Sequence, residues 1–459
     1  MLFLGGIMVR WIEFLNRIVW GVPLLILILG AGVFLSIKTG FFQLRFFPRA
    51  VRQFVSMLRP GDTEGVSSFQ ALCTALAATV GTGNLVGVAG AICLGGPGAI
   101  FWMWICALFG MMTKFAEAAL SVRFRVKKGK EYVGGPMYLI SRGMGGRWLW
   151  LASVYCFFGA VASFGVGNAT QINSVIDSVN AALGYFGLQP GGIINPIIGA
   201  TLAVVIAVML LGGASRIGRA AERLVPFASA AYILLCIGAI ACRAQNLPKA
   251  FEAIVKGAFS PSAVTGGLLG SAFQALRVGV SRGVFTNEAG MGTAGIAHAS
   301  AEVSHPAEQG LMGIMEVFLD TVVICTLTAL AILCSGIPIP YGTDAGGSLT
   351  VQAFVSVYGP WVSVFLALAL CSFALATILG WSLYGMRCVQ FLLGGRSRKP
   401  FVLLQAAVAV VTSVMNTGTI WLLAETVNGL MAIPNLIAII VLCPVLKELT
   451  IQYKEKCSR

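Results

Sequence analysis

The distribution of charged residues is the feature that most restricts how this chain can fold. No Asp, Glu, Lys or Arg occurs in ten separate stretches, and the longest of these are 65–113 and 345–386. A helix that crosses a bilayer needs about 20 mostly apolar residues, so each of these two stretches can hold two elements. Only 10% of the residues are charged, which is too few to cover the surface of a soluble protein. The sequence therefore predicts an all-α polytopic membrane protein.

Eleven membrane-spanning helices are predicted from these stretches. Their approximate bounds are 15–37, 67–94, 98–125, 148–183, 192–213, 220–243, 264–281, 307–333, 359–391, 401–415 and 418–446. We expect the first of them to be an extra N-terminal helix and the whole chain, 1–459, to be one membrane domain. The alternative for 18–36 is the apolar part of a signal peptide. It is disfavoured because the stretch is long and lacks a clear small-x-small cleavage site.

The net charge of +14 is better explained by membrane topology than by nucleic-acid binding. If Met1 lies outside and the helices alternate, most Lys and Arg residues fall in inside loops, with the densest group at 123–147. Arg277 and Arg282 are assigned to an inside loop after the span 264–281. An excess of basic residues in cytoplasmic loops is the usual pattern. We therefore predict a multi-pass cell-membrane protein with its N-terminus outside and its C-terminus inside.

After the first helix, the remaining ten divide into two sets of five, 67–243 and 264–446. The first set opens with a helix interrupted by glycines at 80–84 (VGTGN), and the second opens with 273–283, which also contains glycines. Such interruptions at matching positions of two halves point to a transporter binding site, because unwound backbone at membrane depth needs a ligand, ion or cavity. Glycine also permits close helix packing, so both interpretations stay open at this stage. An odd number of helices per half would make the repeats inverted.

A longer motif carries a family resemblance. Residues 95–110 read GGPGAIFWMWICALFG, and they are flanked by VGTGNLVGV, KFAE, RGVFTNEAGMGTAGIAH, DTVVICTLT and TILGWSLYG. This pattern resembles the alanine/glycine:cation symporter family over essentially the whole chain. The resemblance implies a 5+5 inverted-repeat core like that of the neurotransmitter:sodium symporters, with one extra N-terminal helix. It also implies sodium-coupled symport of a small neutral amino acid, alanine and/or glycine, into the cell by alternating access, with no cofactor besides the coupling sodium ion.

The resemblance places the amino-acid substrate at the first interrupted helix. Thr82 and Gly83 would receive its carboxylate, since backbone N–H groups at the start of a half-helix favour an anion. Gln171 would accept hydrogen bonds from its ammonium group, because a neutral amide is cheaper to bury than a charge. The alternatives are a packing kink at Thr82 and interhelical hydrogen bonding at Gln171.

Three further residues complete the predicted substrate site. Thr377 and Trp381 are four residues apart and share one helix face; by resemblance Thr377 is a polar contact and Trp381 is a wall of the side-chain pocket. Phe273 is the predicted opposite wall. Two large aromatic walls would favour a methyl group or hydrogen as the substrate side chain. Ordinary packing is the alternative for both aromatic residues.

The family's shared ion site gives the predicted sodium ligands. Ala77 and Val80 would supply backbone carbonyls from the first interrupted helix, facing carbonyls of Phe373 and Ala376 and the hydroxyl of Thr377. Because Thr377 belongs to both sets, it would connect the ion to the substrate.

Ionisable residues inside membrane spans are functional candidates by default. Lys114 and Glu117 are three residues apart, and we expect them to neutralise each other. Glu316 and Asp320 share a helix face, and Asp320 would either help to hold a cation or cap polar groups of the opposing interrupted helix. Glu425 receives no assignment.

Two other function classes are weighed against symport. A membrane enzyme would need a nucleophile with a base or a metal cluster, but the chain has two histidines and neither an H-E-x-x-H nor a G-x-S-x-G motif. A passive channel would need a continuous polar path, which a pair of interrupted helices with few polar groups does not provide. Proton coupling remains an alternative to sodium coupling. We therefore predict a transporter and not an enzyme.

Overall fold

The computed structural model describes residues 2–58, 66–129, 131–188, 192–260, 271–343, 346–415 and 418–458, and these are almost entirely helical. The helices are α1 Leu2–Val19, α2 Val22–Thr39, α3 Phe42–Arg45, α4 Phe47–Met57, α5 Ser68–Thr79, α6 Val88–Gly95, α7 Gly98–Arg123, α8 Pro136–Tyr138, α9 Leu149–Phe164, α10 Thr170–Tyr185, α11 Ile194–Leu211, α12 Gly213–Cys242, α13 Leu247–Phe259, α14 Ala272–Asn287, α15 Thr293–His298, α16 Pro306–Val317, α17 Thr326–Ser335, α18 Gly346–Tyr358, α19 Val362–Leu393, α20 Arg398–Thr412, α21 Gly418–Val441 and α22 Cys443–Ser458. Strands β1 Val126–Lys128 and β2 Glu131–Val133 form a small antiparallel pair after α7.

Several of these helices continue into each other through wider π-helical turns. These turns are Gly83–Gly87 before α6, Leu139–Met144 after α8, Gly165–Ala169 between α9 and α10, and Phe318–Cys325 between α16 and α17. Turns of this kind are rare in proteins, and where they do occur they are often at functional sites. Gly83–Gly87 belongs to the first interrupted helix, Phe318–Cys325 contacts it, and Gly165–Ala169 contacts α19.

Eight helices of the described residues are long and apolar enough to cross a membrane, and the bent pair Ser68–Thr79 and Gly83–Gly95 makes a ninth. The two remaining predicted spans correspond to the shorter helices α14 and α20. Part of the predicted span 264–281 lies outside the described residues. The multi-pass helical architecture predicted from the charge-free stretches is therefore confirmed.

Helix α7 runs through the middle of the molecule and contacts α14, α15, α16 and α13. Its contact with α14 is close because α14 carries glycines: a Cβ atom on Gly279 would lie 2.3 Å from the carbonyl oxygen of Ala99. Helix α14 therefore passes straight through Gly279 and Gly283 and ends at Asn287. The predicted interruption within 273–283 is wrong, because these glycines serve helix packing rather than unwinding.

The interruption of the second half lies further along the chain, at 288–292. Glu288, Gly290 and Gly292 all have positive φ, at 55°, 99° and 77°, and α15 begins directly afterwards at Thr293. Since α14 spans Ala272–Asn287, Arg277 and Arg282 both lie within this helix and not in a loop, which corrects their assignment from the sequence. The guanidinium of Arg282 lies 3.1 Å from the Glu425 carboxylate of α21.

Large apolar side chains cover the outer surface of the helix bundle. Phe227, Leu234 and Leu403 are each at least 70% exposed, as expected for residues that face lipid. Buried polar side chains occur on α5, α7, α10, α14, α16 and α19. The interior between these helices is therefore the candidate location of a functional site.

Candidate functional site

The first interruption is built by the end of α5 and the glycines that follow it. Helix α5 begins at a capping box between Ser67 and Gln70 and ends at Thr79. Val80 is extended (φ −77°, ψ 100°), and the chain resumes helical geometry at Gly83 with a bend of 49°. The side chain of Asn84 stabilises this break, because its Oδ1 accepts the N–H of Gly81 at 2.8 Å. That N–H would otherwise donate to the carbonyl of Ala77.

The backbone oxygens at this break are left open. Among the described residues, no hydrogen-bond donor reaches the carbonyl oxygen of Ala77 or of Val80, although both residues are fully buried. Helix ends leave such carbonyls without intrahelical partners, and a buried acceptor without a donor is costly. The break therefore presents open carbonyl oxygens, those of Ala77 and Val80 among them, that a cation can satisfy.

Helix α19 faces this break across a close helix–helix contact. A Cβ atom on Gly81 would lie 2.6 Å from Oγ1 of Thr377, and one on Gly380 would lie 3.0 Å from Cβ of Ala78. The Thr377 hydroxyl is buried and has no hydrogen-bond partner within the described part of the chain. The structure thus brings a third unpartnered oxygen to the same place. Phe373, one turn earlier in α19, and Ala376, which directly precedes Thr377, are also buried.

Thr82 and Gln171 meet directly beside the break. The Thr82 hydroxyl donates to Oε1 of Gln171 at 3.2 Å, and Nε2 of Gln171 donates to the carbonyl of Val166 at 3.1 Å. Gln171 lies in the first turn of α10, immediately after the π-helical turn. This geometry joins the predicted carboxylate residue to the predicted ammonium acceptor.

A cavity of about 610 Å³ reaches Thr82 and Gly83. It is lined mainly by small and polar residues together with Phe285, and its charged lining residues are Asp177, Arg282 and Glu425. This volume exceeds that of a small amino acid, so the cavity has room for one beside Thr82. It contacts Thr82 on the side of the break that continues into α6.

Trp381 lies one turn beyond Thr377 and is completely buried. Its Nε1 donates to Oε1 of Glu288 at 2.8 Å, and its Cβ would lie only 2.3 Å from a Cβ added to Gly167. Since Gly167 is one turn before Gln171, the indole belongs to the same cluster as Thr82 and Thr377. Phe273 does not. It is 53% exposed in the first turn of α14, and this turn lies beside the end of α6, where Nε2 of Gln274 donates to the carbonyl of Leu94. Its assignment as the opposite wall is therefore wrong.

Asp320 connects the two interruptions. Its Oδ1 accepts from Nδ2 of Asn84 at 2.7 Å, and its Oδ2 accepts from the hydroxyl of Thr321 at 2.8 Å. Thr321 accepts in turn from Nδ2 of Asn287 at 3.1 Å, the last residue of α14. Of the two roles considered from the sequence, the capping of an interrupted helix is the one that these contacts support.

Glu117 fixes the second interruption. Its Oε1 accepts from the N–H groups of Gly290 and Gly292 at 2.9 and 3.0 Å and from Nδ2 of Asn435 at 2.7 Å. The expected pairing of Lys114 with Glu117 is replaced by an ion pair between Lys114 and Glu316 at 2.8 Å. Both members of that pair are fully buried.

The sequence interpretation missed Glu288 and Asn287. Both residues occur in the motif RGVFTNEAGMGTAGIAH, but Glu288 was not counted among the ionisable residues inside spans. The signal that would have identified it is an acidic residue two positions before the first glycine of the Gly-x-Gly sequence Gly290–Gly292.

Comparison with known proteins adds independent information. A model of the sodium:alanine symporter family matches residues 6–459. The sodium/alanine symporter AgcS of Methanococcus maripaludis is 42% identical over 453 residues, which cover 97% of each chain. A probable sodium/glutamine symporter, GlnT of Bacillus subtilis, is 37% identical over 449 residues, covering 96% of this chain and 90% of GlnT. These matches confirm the resemblance that the sequence motifs indicated.

A structural likeness supports the fold. The crystal structure of MhsT in complex with L-phenylalanine superimposes with a TM-score of 0.59 at 13% identity, covering 85% of this chain and 99% of MhsT. At this identity the likeness concerns the fold alone.

Proposed function

Since the chain belongs to the sodium:alanine symporter family, we propose that it couples sodium entry to the uptake of a small neutral amino acid, alanine and/or glycine, across the cell membrane by alternating access. The observation that carries the proposal is the first interruption. Three buried oxygens, on Ala77, Val80 and Thr377, have no hydrogen-bond partner among the described residues and lie beside the Thr82–Gln171 contact. The proposed chemistry is binding and transport, with no enzymatic step and sodium as the coupling ion.

In this proposal the substrate carboxylate binds at Thr82 and Gly83. The N–H groups there open a half-helix, and the positive end of the helix dipole favours an anion. The carboxylate takes the hydroxyl of Thr82 from Gln171, which frees Oε1 of Gln171 to accept from the substrate ammonium. Trp381 limits the space for the substrate side chain, and Gly167 holds the indole from behind.

Sodium binds one turn earlier. The carbonyls of Ala77 and Val80 and the hydroxyl of Thr377 are its first ligands, because these oxygens lack donors. Carbonyl oxygens of Phe373 and Ala376 complete the set, since a carbonyl that already accepts one hydrogen bond keeps a second lone pair. Neutral oxygen ligands suit a hard monovalent cation that must also be released.

Coupling follows from the contact between the two sites. Sodium between α5 and α19 would fix the position of Gly81 relative to Thr377, and Gly81 precedes the substrate residue Thr82. An ion shifts a conformational equilibrium only when it binds one state better than the other. We propose that this state is the one in which α5 and α19 are in contact. The ten helices after α2 that correspond to the predicted spans would form the two inverted halves, with the N-terminus outside and the C-terminus inside.

Uptake into proteoliposomes tests the function. We expect labelled alanine to accumulate against its gradient when sodium is imposed outside, and not when potassium or choline replaces it. Equal uptake in the three salts would refute sodium coupling, and uptake driven by a proton gradient alone would establish the proton-coupled alternative. Thr82→Val removes only the hydroxyl, and we expect the alanine KM to rise by about tenfold, as for the loss of one buried hydrogen bond. Thr201→Val, on the exposed face of α11, is the matched control.

A further inference from the structure

Glu288 has a backbone conformation that side chains rarely adopt. Its φ is 55°, and among the described residues only Phe41 shares a positive φ without being glycine. Glycine is the usual residue at this position after a helix, because a Cβ atom is disfavoured in the left-handed region. The same interruption uses glycine at its two other positive-φ positions, Gly290 and Gly292. The reason for a glutamate at this position must therefore lie in the contacts of its side chain and not in its backbone preference.

The side chain of Glu288 joins three elements. Oε1 accepts from Nε1 of Trp381 at 2.8 Å, and Oε2 accepts from the hydroxyl of Thr293 at 2.6 Å. Thr293 begins α15, Trp381 lies in α19, and all three side chains are buried. The Glu288 carboxylate thus links the two ends of the interruption through Thr293 and connects the interruption to Trp381 of α19.

Trp381 has few ways to move while this contact lasts. Gly167 lies against its Cβ, where even a methyl group would overlap at 2.3 Å, and Tyr384 meets its ring edge-on at a centroid distance of 5.9 Å. A buried indole N–H needs an acceptor, and Glu288 is the acceptor that it has. The direction of the indole ring therefore depends on that oxygen.

We propose that Glu288 is a positioning residue that restricts the substrate to a small side chain by fixing the indole of Trp381. This inference rests on the proposed function. The two carboxylate oxygens are directed at Trp381 and Thr293, so the effect of Glu288 on the substrate passes through Trp381. Without its oxygen, the indole rotates to find another acceptor and the pocket admits a longer side chain.

Two substitutions separate the reach of the side chain from its charge. Glu288→Gln keeps the length and an acceptor for the indole but removes the charge. Glu288→Asp keeps the charge but withdraws the oxygen by one methylene. The readout is the ratio of inhibition constants for α-aminobutyrate and alanine, measured by competition with labelled alanine binding in sodium. Glu252→Gln and Glu252→Asp, at an exposed glutamate paired only with Lys256 on its own helix, are the matched controls.

We expect Glu288→Gln to keep this ratio within about twofold of the wild type and Glu288→Asp to improve the relative affinity for α-aminobutyrate about tenfold, the scale of one methylene in a pocket. Trp381→Phe removes the N–H donor and makes the ring smaller, and it should shift the ratio of inhibition constants in the same direction. Glu288→Asp added to Trp381→Phe should then have no further effect, because the two residues act as one unit.

Three results would overturn the inference. Glu288→Gln could change the ratio while Glu288→Asp leaves it intact, which would mean that the charge itself is recognised. The effects of Glu288→Asp and Trp381→Phe on the ratio could be additive, which would mean that the two residues act separately. Trp381→Phe could also leave the ratio unchanged, and this result would refute the inference even if Glu288→Asp does not fold. Failure of the proposed function is recognised separately, since the wild type would then show no sodium-dependent alanine binding.

Discussion

Gly81→Ala is the sharpest test of the proposed sodium site. The substitution is compatible with the backbone, because Gly81 does not have a positive φ, and its N–H can still donate to Asn84. The added methyl group, however, would lie 2.6 Å from Oγ1 of Thr377, a distance that real Cβ atoms essentially never show. The methyl group must therefore displace the Thr377 hydroxyl or separate α19 from α5.

The size of the effect follows from this overlap. Inserting one methyl group into a packed interior costs about 1–3 kcal/mol, which corresponds to roughly five- to 150-fold in a binding constant. If Thr377 binds sodium, this loss appears as a higher sodium concentration for half-maximal alanine uptake. At saturating sodium the alanine affinity recovers, because the substrate residues Thr82 and Gln171 are unchanged.

The assay measures alanine uptake by proteoliposomes over a range of sodium concentrations. Gly30→Ala is the control, since a Cβ on this helical glycine meets nothing within 4 Å. The double variant Gly81→Ala/Thr377→Ala should bind sodium no worse than Thr377→Ala alone, because the clash is with the hydroxyl that the second change removes. A half-maximal sodium concentration for Gly81→Ala within twofold of the wild type would refute a role of Thr377 in sodium binding.

Three further substitutions test the surrounding network. Asn84→Ala leaves the Gly81 N–H and the Asp320 carboxylate without their partner, so we expect a loss of about 1.5–3 kcal/mol in stability, measured as a lower Tm in detergent. Lys114→Met leaves the Glu316 carboxylate buried without its ion-pair partner, so we expect the stability to fall by about 3–5 kcal/mol. The double variant Lys114→Met/Glu316→Gln should largely restore the Tm, and an unchanged Tm for Lys114→Met would contradict the ion pair. Gly167→Ala places a methyl group 2.3 Å from Cβ of Trp381, so alanine binding should fall at least tenfold, and wild-type affinity would show that Trp381 does not border the substrate.

The sequence predicted those parts of the fold that depend on local composition. The predicted span 98–125 coincides with α7, Gly98–Arg123, since a bilayer-length apolar run leaves no other solution. The interruption at 80–84 was also found, because two glycines enclose a polar residue there. The short helices α13 and α18 were missed. Both belong to connections between spans. Helix α18 lies in the charge-free stretch 345–386, which is long enough for two elements, but only one span, 359–391, was assigned there.

Contacts between distant segments could not be predicted in this way. Gly279 and Gly83 look alike in sequence, yet one lets α14 approach α7 and the other belongs to an interruption; only the neighbouring helix distinguishes them. Lys114 was paired with Glu117 on spacing, whereas its partner Glu316 is 202 residues away. Rotation of α7 about its axis decides between these carboxylates, and that rotation is set by packing against α14 and α16.

The two interruptions differ in how their backbone groups are satisfied, and this difference assigns them different tasks. At the second, Glu117 accepts from two N–H groups, Asn435 donates to the carbonyl of Gly290, and Tyr155 donates to that of Met291. Protein side chains thus satisfy four of its backbone groups. At the first, Asn84 satisfies the N–H of Gly81, and within the described part of the chain no donor reaches the carbonyls of Ala77 and Val80.

An unwound segment in a membrane is stable only when its polar groups have partners. The second interruption is held by the side chains of Glu117, Asn435 and Tyr155, so we expect it to keep its shape whether or not a ligand is bound. The first depends on what enters from solution, so its geometry must respond to sodium and substrate. Asp320 connects the two interruptions by hydrogen bonds through Asn84 and Asn287, so the first interruption is anchored to the second. We therefore expect ligand-dependent changes in hydrogen exchange to concentrate at 77–84 and to spare 288–292; equal protection of both segments by sodium and alanine would contradict this division.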